Sequence, residues 1–408
     1  MDSKRKKPVL HEKNGDCCAC TVCSVSCPKG AITFKRNTEG FSYPEIDMNK
    51  CIGCLRCETV CAFKKDKDSK WDDNNVTVYA AKSKERSVIE NSSSGGVFTV
   101  LSDYFIENGD AVGSCIYDAS KKQVRFEIYE TKRERDRARG SKYIQAEIGN
   151  AYSEVIKWLK ENVNKKMLVV GTGCQIAGLN ELLYKEKVRN QVILVDLICH
   201  GVPSPGLWEK YVEYMALKEV ALRVEKKVEK QNGIHIEEIS FKDKRDGWKN
   251  PYVYAKSKGK EVSIKPFADW FYCNYSVRES CYECPYTRVN RRSDITIGDY
   301  WGIENILPKF YDPMGVSLVL VQSKAGKKLI QSVASELNYV ETDTEKCLQP
   351  RLISPAEKPP KREKFWTDLE KKGLAYCIKN YKEESNNSVF GKAKRKIKNM
   401  LAKKKGDK

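Results

Sequence analysis

Histidine is nearly absent from this chain. His11, His200 and His235 are the only three in 408 residues, so an imidazole-built metal centre has almost no material to draw on. Only His200, at the end of a buried strand, has a suggestive setting, and it reads equally well as structural. Long apolar runs are missing too. The most apolar stretch, residues 192–197, is short and interrupted by Asp196, which excludes a membrane span of the usual length. A basic patch at residues 4–7 is not followed by an apolar stretch, so no secretory signal is expected. There is no Walker loop, no complete dinucleotide fingerprint and no Cys-x-x-x-Cys-x-x-Cys of the radical-S-adenosylmethionine kind. No zinc finger or RNA-recognition signature accompanies the net charge of +19. The charge therefore reads as lysine-rich solvated surface rather than as a nucleic-acid site, and the expected location is the cytoplasm.

Cysteine, by contrast, is abundant. There are 17, and in a chain of this length their tight clustering argues for metal in a reducing compartment rather than for disulfides. Cys17, Cys20, Cys23 and Cys27 form the first run, with Pro28 after the fourth; Cys51, Cys54, Cys57 and Cys61 form the second. This is the spacing of bacterial ferredoxins that carry two 4Fe-4S clusters. Three closely spaced cysteines let one loop wrap three corners of a cubane, and the fourth is carried away towards the other cluster. The spacing assigns Cys17, Cys20, Cys23 and Cys61 to one cluster and Cys51, Cys54, Cys57 and Cys27 to the other. Cys18 lies off register and reads as a spare thiol. Cys115, Cys273, Cys347 and Cys377 are isolated and read as packing.

A polar stretch over 64–75 reads as a linker, and beyond about residue 76 strands and helices alternate. Strands are expected at 111–117, 124–129, 167–170, 192–198, 236–241, 252–255, 294–297 and 317–321. Helices are expected after residue 96, at 151–159, at 176–183, and around Trp208, Tyr211 and Met215. Cys174 directly follows one buried strand and Cys199 the next. Neighbouring strands of a β-α-β unit would place both at the carboxyl edge of a sheet, where such sheets bind ligands. With Cys281 and Cys284 they make a four-thiolate set sufficient for a third 4Fe-4S cluster; the other reading is ordinary core packing. Ser92, Ser93, Ser94, Gly95 and Gly96 precede a helix whose N-terminus suits a phosphate. Ser141, Lys142 and Tyr143 put a hydroxyl, a cation and a ring in one segment. Gly171, Thr172 and Gly173 offer close backbone approach in a tight loop.

Taken in order, these segments resemble the coenzyme F-420 hydrogenase/dehydrogenase beta-subunit family over about residues 15–340. The resemblance rests on Ser92-Ser-Ser-Gly-Gly-Val-Phe98, Ser141-Lys-Tyr-Ile144, Gly171-Thr-Gly-Cys-Gln-Ile-Ala-Gly178 and Cys199-His-Gly-Val-Pro-Ser204. It continues through Arg278-Glu-Ser-Cys-Tyr-Glu-Cys284 and Asp294-Ile-Thr-Ile-Gly-Asp-Tyr-Trp-Gly302. Gly173 stands where the family usually has proline, and Tyr300 where it often has phenylalanine. The resemblance implies an FAD-binding domain carrying its own 4Fe-4S cluster, with FAD against Ser93, Ser94, Gly95, Gly96, Ser141, Lys142, Tyr143 and the 171–173 loop. It also implies that such fusions occur beside surface-polysaccharide genes and need not use F-420.

The expected class is α/β, α+β overall. A small bacterial-ferredoxin-like domain (1–66) and a linker (67–85) precede a mixed-sheet flavin-binding α/β domain (86–345) and a C-terminal extension (346–408). The expected function is an iron–sulfur flavoprotein oxidoreductase, passing electrons between the clusters and FAD with hydride transfer to an organic substrate or deazaflavin. The alternative is a non-catalytic electron-relay subunit of a larger redox complex, meeting a redox partner protein. At the C-terminus Phe390, Ala393, Ile397, Met400 and Leu401 fall at helical spacing among lysines. This reads either as a weak attachment to an anionic membrane at its inner face or as a solvated tail.

Overall fold

The computed structural model describes residues 6–67, 69, 75–225 and 236–382, with side chains of the helix Pro205–Glu225 described to residue 216. His235 and the basic tail beyond residue 382 lie outside the described residues. The two cysteine runs adopt one backbone twice. Ala19 and Thr21 in the first run have φ of 54° and 63°, and Gly53 and Leu55, at the equivalent positions of the second, have 70° and 56°. Left-handed backbone at alternate positions is costly for residues with a Cβ. It curls each loop as a wrap around a compact group requires. Short helices Val22–Val25 and Arg56–Thr59 follow the loops. Strands β1 (Ile32–Arg36) and β2 (Ser42–Ile46) pair antiparallel between them.

The body is built on a mixed eight-stranded sheet. Its strands are β3 (Thr77–Ser83), β4 (Ala111–Asp118), β5 (Gln123–Tyr129), β6 (Met167–Thr172) and β7 (Val192–Leu197). After a separate antiparallel sheet of β8 (Glu238–Asp243), β9 (Tyr252–Ser257) and β10 (Lys260–Ser263) come β11 (Ile295–Asp299), β12 (Ser317–Val321) and β13 (Leu337–Thr342). The order across the large sheet is β13-β3-β12-β11-β7-β6-β4-β5. The pairs β4/β6, β6/β7 and β7/β11 are parallel, and the remaining pairs are antiparallel. Residues 167–171 of β6 are buried without interruption because helices cover both faces. Leu168 and Val170 face the helix Val97–Glu107 through Val100, Leu101 and Phe105. Met167 and Val169 face the helices Ala151–Glu161 and Gly173–Lys185 through Val155, Leu159 and Leu179. The alternation is the period-two geometry of a strand.

The structure corrects three boundaries. The expected 171–173 loop does not form: Gly171 and Thr172 finish β6, and the helix begins at Gly173. Thr172 caps it, its hydroxyl reaching Gln175 Oε1 at 3.0 Å, so strand becomes helix with no intervening residue. The 67–85 linker contains β3, whose Val78, Ala80 and Ala81 are buried between β12 and β13. The C-terminal extension is partly core. Phe365 and Cys377 of the helix Arg362–Asn380 are fully buried, and Trp270 donates to the Tyr381 carbonyl at 2.9 Å.

The ferredoxin module is clamped to the body by arginines. Arg36 grips Glu209 at 2.6 and 3.0 Å, Arg362 grips Glu39 at 2.7 and 2.6 Å, and Arg292 pairs with the fully buried Asp66 at 2.5 Å. Backbone meets backbone at Gly40 and Gly206, where a Cβ on Gly40 would stand 2.6 Å from the Gly206 Cα. Gly178 lets Cys20 seat against the helix Gly173–Lys185, since a Cβ there would lie 2.8 Å from the Cys20 sulfur.

The deepest clamp is Arg278, fully buried, donating to the Cys17 carbonyl at 2.7 Å, the Ser42 carbonyl at 2.9 Å and Gln145 Oε1 at 3.2 Å. Its guanidinium lies 4.1 Å from the Tyr43 ring centre. Replacing it by methionine orphans buried acceptors on both sides of the joint. Arg278→Met should cost about 3 kcal/mol of stability and speed release of the 6–67 module in limited proteolysis. An unchanged denaturation midpoint and digestion rate in the anaerobic protein would show that the clamp is not needed.

Candidate functional site

The predicted cysteine sets are brought together as three groups in a row. Cys23 sits within the electrostatic reach of Cys20, Cys17 and Cys61, and Cys61 within that of Cys20 and Cys17. Cys27, Cys51, Cys54 and Cys57 line one cavity, together with Pro8, Ile32, Ile46 and Leu55. Cys281 lies close to Cys199 and Cys174, and Cys284 close to Cys174, Cys281 and Cys199. The fourth cysteine of each run thus stands with the other loop. Cys23 and Cys57 also feel one another, which sets the first two groups side by side.

Three observations bear on whether these sets suit iron–sulfur clusters. Each consists of four thiols with no carboxylate or imidazole, the donor chemistry of a cubane. Among the described residues no three His, Cys, Asp or Glu groups converge tightly enough for a single metal ion. Backbone amides already point at sulfur: Ala19 N–H donates to Cys17 Sγ at 3.3 Å, and Ala31 N–H to Cys27 Sγ at 3.3 Å. The residues fit the group.

Burial dominates the thiol chemistry. It pushes Cys61 and Cys199 up to about 11 and Cys281 up to about 12, and it raises Cys23 and Cys284 as well. Without metal these thiols stay protonated at neutral pH, so loading must release protons. Arg278 opposes the trend at Cys17, Cys174 and Cys281.

Cys18 is where the sequence reading falls short. It is 5% exposed and packs with Ala62, Phe63, Ala177 and Tyr286, against Cys20, Cys61, Cys174 and Cys284. Its thiol stands near those of Cys174 and Cys20, which raise it while it lowers the other two. Cys18 is thus a buried thiol between the first and third groups. The doubled Cys17-Cys18 was the signal available. Nothing in the sequence marked Arg278 as more than part of a motif.

The third group lies at the carboxyl edge of the parallel strands. Cys174 follows β6 and Cys199 follows β7, and these strands are neighbours with Thr172 opposite Leu197. Thr172 Oγ1 stands 3.4 Å from Cys174 Sγ. Along the same edge, His200 is half-buried, with its Nε2 2.7 Å from Asn274 Oδ1 and its ring 4.8 Å from Phe271. Burial, aided by Arg351, lowers it to about 3, so it is neutral. Tyr143 stacks on Phe271 at 4.5 Å. Lys242, absent from the sequence reading, is buried and paired with Asp299 at the end of β11, beside the stacked rings of Trp248 and Trp301.

The ten residues expected to hold FAD divide into two places. Ser93 and Ser141 meet directly: Ser93 Oγ accepts from the Ser141 amide at 2.8 Å and lies 3.0 Å from its hydroxyl. Ser94 donates to the Val316 carbonyl at 2.9 Å, and the Gly95 amide donates to Ser317 Oγ at 3.0 Å. Gly96 has φ of 87° and is the N-cap of the helix Val97–Glu107. Lys142 is turned back on the Ala138 and Arg139 carbonyls at 2.6 and 2.9 Å, and burial lowers it to about 8. Gly171, Thr172 and Gly173 belong with the third cysteine group instead. A Cβ on Gly173 would stand 3.0 Å from Tyr286 and 3.2 Å from Asp196. The serine side therefore assembles, whereas the glycine side serves the cysteines. No helix among the described residues is long and apolar enough to cross a membrane.

Known proteins match this arrangement in three segments. Residues 16–65 match the 4Fe-4S dicluster domain. Residues 78–152 match the N-terminal part, and 164–346 the C-terminal part, of the coenzyme F420 hydrogenase/dehydrogenase beta subunit. A subunit of the F(420)H(2) dehydrogenase of Methanosarcina mazei is 24% identical over 343 residues, covering 80% of this chain and 84% of that protein. Coenzyme F420-dependent sulfite reductase of Methanocaldococcus jannaschii is 23% identical over 345 residues, 83% of this chain; the chain spans 49% of that longer protein. A chain of the F420-reducing NiFe hydrogenase complex from Methanosarcina barkeri aligns with a TM-score of 0.42 and 18% identity, over 75% of this chain and 89% of that one. With both parts of the beta subunit matched behind a dicluster domain, this is an iron–sulfur electron-transfer protein that belongs to the coenzyme F420 hydrogenase/dehydrogenase beta-subunit family.

Proposed function

We propose that this chain is an oxidoreductase subunit that relays single electrons along three 4Fe-4S clusters to a flavin at the carboxyl edge of the sheet. There a hydride is exchanged with an organic two-electron carrier. The observation that carries the reading is the order of the cysteine groups. The set Cys27, Cys51, Cys54, Cys57 neighbours the set Cys17, Cys20, Cys23, Cys61. The latter in turn shares Cys18 and Arg278 with the set Cys174, Cys199, Cys281, Cys284. When bound, the clusters supply one-electron chemistry and the flavin converts it to two-electron chemistry. The chain's own part is to hold thiolates in line, exclude water and fix the charges around them. The Ala19 amide donates to Cys17 Sγ, and Arg278 places a buried positive charge between the first and third groups, so both favour the reduced state there.

FAD is the flavin we propose, against the Ser93–Ser141 pair and the Gly95–Gly96 turn. The similar proteins carry F420 in their names, so a deazaflavin is the hydride carrier we favour over an activated sugar of surface-polysaccharide metabolism. The Methanosarcina mazei relative is named as one subunit of a dehydrogenase, which supports a redox partner protein here. One observation favours the second reading, a relay without bound flavin. Ser93 and Ser141 satisfy one another, and the Lys142 ammonium is already committed to backbone carbonyls.

Anaerobically purified protein should contain about twelve irons. Cys281→Ser with Cys284→Ser should lose about four of them while keeping the electron paramagnetic resonance signals of the ferredoxin clusters. Iron that stays at the wild-type level would refute the third cluster. Flavin retention separates the two readings: bindable FAD supports the first, and turnover-free relay with no FAD uptake supports the second.

The Lys142 ammonium should reach a flavin phosphate only while protonated. Its proton is held below about pH 8 and lost above, so FAD affinity should fall as pH rises through about 8. Lys142→Ala should weaken binding at pH 7 and abolish that dependence. A wild-type affinity that is flat from pH 6.5 to 9 would remove Lys142 from the phosphate site.

A further inference from the structure

Of the seventeen cysteines, only Cys54 is exposed. It belongs to the cavity of the second group, whose lining also includes Lys29 and Arg56. Electron transfer weakens steeply with distance, so a carrier protein must meet this chain where a cluster comes nearest the surface. The surface there is unlike the rest of the molecule. Among the described residues eight large apolar side chains are exposed, and three of them, Val9 (41%), Met48 (39%) and Ile52 (48%), surround this one loop. Ile52 lines the cavity itself. Met48 is held beside Cys51 by the 47–51 turn, in which the Asp47 carbonyl accepts from the Lys50 and Cys51 amides at 3.1 and 2.9 Å. Val9 is tied to the helix after Cys54 by its amide, which donates to Glu58 Oε1 at 2.5 Å. The other five exposed apolar residues are spread over the body.

The rim of this patch is basic. Lys6 and Lys7 are exposed immediately before Pro8 and Val9. Lys29 and Arg56 are exposed and have no carboxylate partner among the described residues. Lys50 meets Asp47 only at 3.6 Å, with its side chain 62% exposed. The two acids at this rim are Asp47, beside Lys50, and Glu58, which accepts from the Val9 amide, against five basic side chains. An apolar centre inside a ring of one charge sign is the anatomy of a transient interface steered by the opposite sign. A small apolar core of this kind gives fast release as well as recognition, as electron carriers need.

We propose that Val9, Met48 and Ile52, ringed by Lys29, Lys50 and Arg56, form the docking surface for an acidic one-electron carrier protein, with the Cys54 face of the second cluster as the port. The proposal rests on the reading that Cys27, Cys51, Cys54 and Cys57 hold that cluster. One electron passes from the reduced carrier to the oxidised cluster, or in reverse, with no bond made or broken and no proton required. The surface also explains why the remaining cysteines can be sheltered: a single port is enough for a row of clusters.

The test uses anaerobic, full-length, iron-loaded protein and a reduced acidic two-iron ferredoxin as probe, with cluster bleaching followed by stopped flow. The wild-type second-order rate should fall steeply with added salt. Lys29→Glu with Arg56→Glu should slow it about tenfold or more at low ionic strength and much less at high salt. Met48→Glu, outside the cavity lining, should slow it without touching the cluster. Lys157→Glu, on the body, should leave it unchanged. Iron content, cluster resonance signals and direct reduction by dithionite should match wild type in the Met48→Glu and Lys157→Glu proteins, and rates for the Lys29 and Arg56 variant are compared per loaded cluster.

A wild-type rate that is independent of salt would overturn the docking surface. So would variants that keep their iron and their rate, or faster exchange with a basic carrier than with the acidic one. Wild-type protein with only four irons assignable to the 6–67 module would instead refute the cluster reading on which the surface depends.

Discussion

A positive charge buried without a carboxylate governs this molecule. Arg278 is fully enclosed and its donated bonds to Cys17, Ser42 and Gln145 end on neutral carbonyl oxygens. A buried guanidinium in such company is tolerable only if negative charge stands close by. Cys17, Cys174 and Cys281 each feel this cation and would supply that charge as thiolates once a cluster is bound. Cysteine chemistry on one side of the joint and on the other is therefore tied to one side chain. Docking of the ferredoxin module, placement of two cysteine groups and the electrostatics between them are a single problem with a single solution.

The sheet supplies the other constraint. Three parallel pairings among β4, β6, β7 and β11 bring the strand ends that carry Cys174 and Cys199 to one edge. Crossover connections in such units keep one hand, so neighbouring strands deliver their following loops to the same side. The body thus presents a thiol group where the ferredoxin module can reach it, and Gly178 removes the one Cβ that would hold Cys20 away. The Arg36–Glu209, Arg362–Glu39 and Arg292–Asp66 pairs fix the approach around that centre. Each reaches from the module to a different part of the body, which resists rocking as well as separation.

Between the first and third groups lies a thiol, Cys18, within a small apolar cluster. A neutral thiol in apolar surroundings lies between the two groups without adding net charge. The second group is built differently. Its Cys54 is open to solvent and its surroundings are apolar and basic. The row of groups therefore runs from an accessible end to an enclosed one.

Cysteine spacing determined the ferredoxin module outright, because ligands a few residues apart must share a loop whatever the rest of the chain does. Apolar runs and their intervals also made the large sheet legible, including the neighbouring placement of β6 and β7 that joins Cys174 to Cys199. Strand β3 was hidden in what read as a linker, since a short strand paired on both sides needs no amphipathic signature of its own. The 171–173 turn vanished into a strand and a helix because Thr172 could cap the helix at once. The grouping of Cys281 with Cys174, the placement of Cys18 between two groups and the enclosure of Arg278 were decided only by tertiary structure. Each depends on contacts between residues more than 100 positions apart, and no local pattern records what a side chain will meet when two separately folded surfaces close on it.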